Sequence, residues 1–299
     1  MLYFIVFIAG ICVTNAQMPP TTTENVKFVI YAKDKQFYDL SPETLQYIDP
    51  TVKTVFVVHG FLSSMATDNY ITNITSAYRD VGYNSICVDW TGYLFAINYP
   101  ILVYGGISQI GTALGDKILL LLSHGVNLKQ VEVFGESLGA DIAGFAGRYI
   151  KQRTNSTLHR IAGLDPAGPL LGRVFGIFEN PNALRATDAD IVDISHTDGE
   201  FLGTTDNIGS VDFYINGGLS QTACDEATMN PLGGIILNLC SHVFASIIFR
   251  VSIGNSDYKA SSSPDTCENL VVYGDLFNGN ATGIYFLRTE NDYPYKSIC

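Results

Sequence analysis

The stretch from Val131 to Ala140, Val-Glu-Val-Phe-Gly-Glu-Ser-Leu-Gly-Ala, constrains the fold of this chain more than any other. Apolar β-formers stop at Phe134. Gly135-x-Ser137-x-Gly139 follows at once, and small residues then recur at Ala140, Ala143, Gly144, Ala146 and Gly147. A short strand, a tight turn and a helix form the pattern of a nucleophile elbow. The sharp turn holds the serine in a strained backbone and pushes its Oγ out of the sheet. Glycines two residues to either side leave room for the turn and for a closely packed helix. The helix N-terminus adds unpaired N–H groups where an oxyanion would develop.

The flanking sequence repeats the same alternation. Val26 to Ala32 reads as a strand, and Val55 to Val58 as a second that runs into His59-Gly60-Phe61. Residues 67–81 have helical character and stop at Gly82; Ser85 to Asp89 is the next strand. Ile107, Ile110, Leu114, Ile118 and Leu121 lie at helical spacing over 107–124, with a stop at Gly125. Strands follow at Ile161 to Asp165 and Ile191 to His196. Mostly apolar strands alternating with helices predict an α/β fold, a parallel sheet covered on both faces. Hydrophobic residues make up 47% of the 299 and charged residues 15%, enough for a large core. With no repeat and no Gly/Ser/Pro-rich linker, one domain over 17–299 is expected.

Met1 to Ala16 reads as a signal peptide: Leu2 to Val13 is almost wholly apolar, and Thr14-Asn15-Ala16 ends on a small residue. The apolar run is too short for a transmembrane anchor, and Asp116 and Lys117 argue against a span in the 107–124 helix. The expected product is a secreted, extracellular protein. The sequons at Asn73, Asn155 and Asn280 fit a glycoprotein. The net charge of −12 disfavours nucleic acid, heparin-like polymers and strongly anionic membranes as partners. Without Cys12, an odd set of cysteines remains: Cys87, Cys224, Cys240, Cys267 and Cys299. Cys87, in an apolar run, is the expected buried free thiol.

A serine hydroxyl needs a histidine to take its proton and a carboxylate to fix that histidine's tautomer. In α/β-hydrolases the order along the chain is Ser, acid, His. Asp165 ends an apolar strand, at the sheet edge where such folds present their chemistry; Asp193, inside a strand, is the rival acid. His242 follows Cys240-Ser241 and precedes an apolar helix. His196, at a strand end, is the alternative base. Ser137, Asp165 and His242 satisfy the order.

At this point the sequence resembles the animal pancreatic-type lipase family, with its insect lipases and wasp-venom-type phospholipases A1. The matching motifs are His59-Gly60-Phe61, Val88-Asp89-Trp90, Gly135-Glu136-Ser137-Leu138-Gly139-Ala140, Ala143-Gly144-Phe145-Ala146-Gly147 and Gly163-Leu164-Asp165-Pro166-Ala167-Gly168-Pro169. Further on are Ile194-Ser195-His196-Thr197-Asp198-Gly199, Asp212-Phe213-Tyr214-x-Asn216-Gly217-Gly218 and Cys240-Ser241-His242. They run colinearly through nearly the whole chain after the leader.

The resemblance implies an α/β-hydrolase fold with Ser137 as nucleophile, Asp165 as acid and His242 as base. The backbone N–H groups of Phe61 and Leu138 would form the oxyanion hole, and His196 becomes structural. It makes Asp225 to Leu239 a short lid stapled by Cys224–Cys240, which leaves Cys267 to pair with Cys299. The implied substrate is a lipid ester at a lipid–water interface, cleaved without a cofactor: a neutral glycerolipid or, alternatively, a phospholipid attacked as by phospholipase A1. A catalytically weak, yolk-like lipid-binding protein is the non-enzyme alternative.

Three departures stand out. Glu136 and Asp141 occupy positions where the family usually carries His, and Asp141, in the first turn of the elbow helix, suits the helix dipole. The family's calcium-site region is shortened around Arg185 to Asp188, so no metal is expected. With the sequence ending at Cys299, the C-terminal lipid-binding β-sandwich of the pancreatic members is also not expected.

Overall fold

Strand β3 (Thr54–Val58) shows why the sheet forms as it does: all its residues are buried. Phe56 and Val58 join the core on one side, Val55 and Val57 the core on the other. A strand covered on both faces needs apolar side chains at every position, which is the signature of a parallel sheet between helical layers. The computed structural model describes residues 25–66, 69–93, 99–172, 180–224 and 233–299. The predicted leader lies outside them, as does the lid segment from 225 to 232.

The remaining strands are β1 (Lys27–Tyr31), β2 (Phe37–Asp39), β4 (Asn84–Asp89), β5 (Val131–Glu136), β6 (Leu158–Leu164), β7 (Ala189–His196), β8 (Val211–Ile215), β9 (Lys259–Ala260), β10 (Val271–Val272) and β11 (Gly283–Leu287). The nine-stranded sheet has the order β11-β8-β7-β6-β5-β3-β4-β1-β2. From β4 through β11 each neighbouring pair is parallel; β1 runs antiparallel to β4 and to β2. β9 and β10 form a separate two-stranded ribbon.

Among the described residues four main helices cover the sheet: α1 (Asn69–Asp80), α2 (Ile107–Ser123), α3 (Leu138–Thr154) and α4 (Gly233–Ser252). Ile110, Leu114 and Ile118 of α2 share one core with Ile142, Ala146 and Ile150 of α3. Ile74 and Tyr78 of α1 share the opposite core with Phe244, Ile248 and Phe249 of α4. This is the expected α/β class, with helices on both faces. Among the described residues no helix is long and apolar enough to cross a membrane.

Two sequence expectations change here. Strands β2, β8 and β11 are not among those expected: β2 and β8 carry only short or interrupted apolar runs, and the Ile284–Leu287 run of β11 is partly exposed. β2 and β11 are edge strands with exposed positions, and β8 is interrupted by Asp212. The segment from Gly233 to Leu239 is helix rather than loop, and His242 lies well inside α4 instead of just before it. Ile235, Ile236, Leu237 and Leu239 continue the apolar run that follows His242, so the helix extends further toward its N-terminus than expected.

Candidate active site

Strand β5 delivers the chain into α3 at Ser137, whose φ is 53° and ψ −125°. Such a conformation costs a non-glycine residue about 1–3 kcal/mol and persists only where neighbours enforce it. The Ser137 N–H donates to the Leu164 carbonyl at 3.0 Å. A Cβ on Gly135 would run into the Gly139 backbone, and one on Gly139 into the Val58 carbonyl. The glycine spacing is therefore a packing requirement of the turn. Gly139→Ala is expected to lower stability by about 1–3 kcal/mol, because rigid backbone stands where the methyl must go; urea denaturation of the variant against the parent checks it.

Asp165 follows the end of β6, also at positive φ, 45°. It is fully buried. Its Oδ1 accepts from the N–H groups of Thr197 at 2.8 Å and Asp198 at 3.1 Å, both beyond the end of β7. These two bonds aim Oδ2 at His242, whose Nδ1 lies 2.6 Å away. With Nδ1–H given to the carboxylate, Nε2 carries the lone pair, the tautomer a general base needs. Burial by itself pushes the His242 pKa down. The hydrogen bond and charge of Asp165, then the charges of Glu136 and Asp198, outweigh it and raise the pKa to about 9.

The rival residues are committed elsewhere. His196 is held at Nδ1 by the Thr204 carbonyl at 2.7 Å and at Nε2 by Asp212 at 2.9 Å, and it stacks on Tyr214. Asp193 receives both arms of the buried Arg160 guanidinium, each at 2.7 Å. Arg160 also donates to the carbonyls of Gly274 and Asp275. Of the two acids only Asp165 is joined to a histidine by a hydrogen bond in the structure, and that histidine is His242.

The loop after β3 is braced by His59. Its ring stacks on Trp90, its Nε2 accepts from the Trp90 N–H at 3.0 Å, and the Trp90 indole donates to the His59 carbonyl at 2.7 Å. Phe61, next in this loop, packs edge-on against Tyr99. Gly60 abuts the elbow: a Cβ there would sit 2.9 Å from the Ser137 Cβ. Leu138 is the first residue of α3, so its N–H is among those a helix cannot bond internally. The loop of Phe61 and the start of α3 thus flank Ser137.

Sequence reasoning gave no role to Asp198. It is fully buried, its Oδ2 accepts from the Leu202 N–H at 3.1 Å, and burial lifts its carboxyl to about 7. The one signal was its place two residues after His196. Asp141 lies in the first turn of α3. It is buried, its Oδ1 accepts from the Leu184 N–H at 3.0 Å, and burial raises its pKa to about 8. Asp165, Asp198 and His242 present ligand-type atoms within 4.8 Å of one another. Both Asp165 oxygens accept hydrogen bonds, Oδ1 from two peptide N–H groups and Oδ2 from His242. Asp188 pairs with Arg148 at 2.5 Å and accepts from the Arg185 N–H at 3.0 Å.

Disulfides join Cys224 to Cys240 and Cys267 to Cys299, and Cys87 is a buried free thiol in β4. The first bridge ties the segment after β8 to α4 two residues before His242. Asn73, Asn155 and Asn280 are all exposed.

A parallel sheet with a strained serine between strand and helix, and a carboxylate–histidine pair at the same edge, defines an α/β-hydrolase. The chain belongs to the Lipase family, whose model matches residues 11–273. It is 32% identical to Lipase member H-B of Xenopus laevis over 241 residues, covering 79% of this chain and 50% of that protein. It is also 32% identical to Phospholipase A1 of Polybia paulista (81% and 77% covered) and to Phospholipase A1 2 of Polistes dominula (91% and 90% covered). The chain spans about half the length of the Lipase member H relatives it matches.

Proposed function

We propose that this protein is a secreted serine carboxylic-ester hydrolase that cleaves acyl esters of neutral glycerolipids through Ser137, Asp165 and His242. The observation that carries the reading is the 2.6 Å bond from His242 to an Asp165 carboxylate oriented by two peptide N–H groups, beside a serine held at positive φ. In the proposed cycle His242 Nε2 takes the Ser137 proton as Oγ bonds to the ester carbonyl carbon. The N–H groups of Phe61 and Leu138 receive the oxyanion. The imidazolium then protonates the departing alkoxide as the ester C–O bond breaks, and water repeats the sequence on the acyl-enzyme. No cofactor is needed for this chemistry. Secretion and glycosylation are part of the same reading, supported by the leader-like segment, the two disulfides and the exposed sequons.

A lipid substrate is supported by where apolar surface is exposed. Leu62, Leu170, Phe201 and Leu219 follow the C-terminal ends of β3, β6, β7 and β8, and Leu239 precedes His242 by three residues; all are exposed. The ends of these parallel strands lie at the sheet edge that carries Ser137, where an oily surface would meet the site. Cleavage of phospholipids is the second reading, favoured by an alignment with a wasp phospholipase A1 over nine-tenths of both chains. A fluorophosphonate probe tests the function itself: it should label Ser137, and an unlabelled folded protein would favour a yolk-like binding role.

With a net charge of −12, turnover on triglyceride emulsions or phosphatidylcholine vesicles should exceed that on phosphatidylserine at low salt. Burying an exposed Leu or Phe contributes roughly 1.5–3 kcal/mol. The double variant Phe201→Asp, Leu239→Asp should therefore lose about tenfold or more on emulsions while keeping its rate on a soluble short-chain ester. A preference for phosphatidylserine, or equal losses on both substrates, would count against the lipid assignment.

A further inference from the structure

Both imidazole nitrogens of His242 face carboxylates. Asp165 holds Nδ1 at 2.6 Å, and the Glu136 Oε1 lies 3.6 Å from Nε2. Glu136 is the last residue of β5 and is buried, immediately before Ser137. Its Oε2 lies against Gly60 and its Oε1 faces His242. A Cβ on Gly60 would collide with Glu136 Oε2, so only a glycine in the 59–61 loop makes space for this side chain. The charged groups acting on His242 are Asp165 after β6, Glu136 at the end of β5 and Asp198 after β7. Asp165 serves Nδ1, and Asp198 is turned toward the Leu202 N–H. Glu136 is placed at the nitrogen that must exchange a proton with Ser137.

We propose that Glu136 is a positioning residue for the base, a second carboxylate that holds the imidazolium form of His242 from the Nε2 side and confines ester hydrolysis to the alkaline side of neutrality. This rests on the hydrolase reading above. In the free enzyme an imidazolium bracketed by two carboxylates gives up its proton reluctantly, and until it does Ser137 has no base. During acylation the proton moves from Ser137 Oγ to Nε2 as the Oγ–C bond forms, and Glu136 stabilises the positive charge that appears. The same proton leaves with the alkoxide when the ester bond breaks. Glu136 takes no covalent part in the cycle; it acts on the charge of His242. Its sign is fixed: a nearby negative charge favours protonated His242, so the acid limb of the rate profile sits high and removing the charge moves it down. At this separation the field of one carboxylate is worth about one pH unit or more.

The test is kcat/KM on a soluble nitrophenyl ester from pH 5.5 to 10 for the parent, Glu136→Gln and Glu136→Asp. Glu136→Gln should shift the acid limb down by about one unit or more, roughly a tenfold gain near neutrality relative to its own plateau. Glu136→Asp, which keeps the charge, should leave the limb closer to the parent's. Limbs of Glu136→Gln and parent that superimpose would overturn the proposal. Independently, NMR titration of the His242 ring in the unaltered protein should give a midpoint well above the ordinary histidine value of about 6.5; a midpoint at or below it would also overturn the proposal, even if Glu136→Gln fails to fold. Fluorophosphonate labelling at pH 9.5 separates the two readings. No labelling removes the hydrolase, whereas labelling with an unmoved limb removes only the role of Glu136.

Discussion

Ser137→Ala should yield a folded protein whose ester hydrolysis is lower by about 10⁴–10⁶-fold. In serine hydrolases of this kind the nucleophile and base act as a unit, so losing either removes nearly all the covalent chemistry. Only the contribution of binding and oxyanion donors is left. The fold should survive because the elbow does not depend on the hydroxyl. The turn is held by the Ser137 N–H to Leu164 and by the glycine contacts at Gly135 and Gly139. Alanine at the same positive φ carries a similar backbone strain, so the melting temperature should move little. The checks are kcat/KM on a nitrophenyl ester and a thermal melt. Near-parent activity in a folded variant would mean the nucleophile lies elsewhere.

The second large effect separates two buried aspartates. Asp165→Asn should cut turnover by about 10⁴-fold with modest loss of stability. An amide nitrogen facing His242 Nδ1 stabilises the wrong tautomer and leaves Nε2 without its lone pair. Asn can still accept from Thr197 or Asp198 through its carbonyl, which keeps the loop in place. Asp193→Asn should do the reverse. It strips the counter-charge from Arg160, a buried β6 guanidinium packed over Phe134 and Phe277, at a cost of about 3–5 kcal/mol. The protein that remains folded should turn over within a few-fold of the parent. Urea unfolding and kcat/KM, measured on both variants, decide it; the opposite ranking would reassign the acid.

The apolar runs Val55–Val58, Ser85–Asp89 and Ile191–His196 were legible as strands because both faces of a parallel sheet are covered, so nearly every position is apolar. The edge strands β2 and β11 escaped because one side meets water and the run is short or mixed. In β8, Asp212 breaks the pattern, and it is there to hold His196. The elbow was legible because its glycines answer to local backbone contacts, which a few consecutive residues specify.

The sequence by itself therefore determined the α/β class, the elbow at Ser137 and the chain order of the candidate acid and base. All of these are set by neighbours within a turn or a strand. Tertiary structure decided which acid meets which histidine. Ala162 is paired with Asp193 and Arg160 with Ile191, so Arg160 and Asp193 meet diagonally across adjacent strands, and that register removes Asp193 from the site. Asp165 is oriented by N–H groups from beyond the end of β7, and His242 arrives from a helix 77 positions further along the sequence. Glu136 gains its meaning the same way. Next to Ser137 in the chain it is only a charge, and its place at Nε2 exists because β5, the β3 loop and α4 converge there. Hydrogen-bond and charge partners are chosen by distances in space, and one-dimensional spacing does not encode those distances across separate strands.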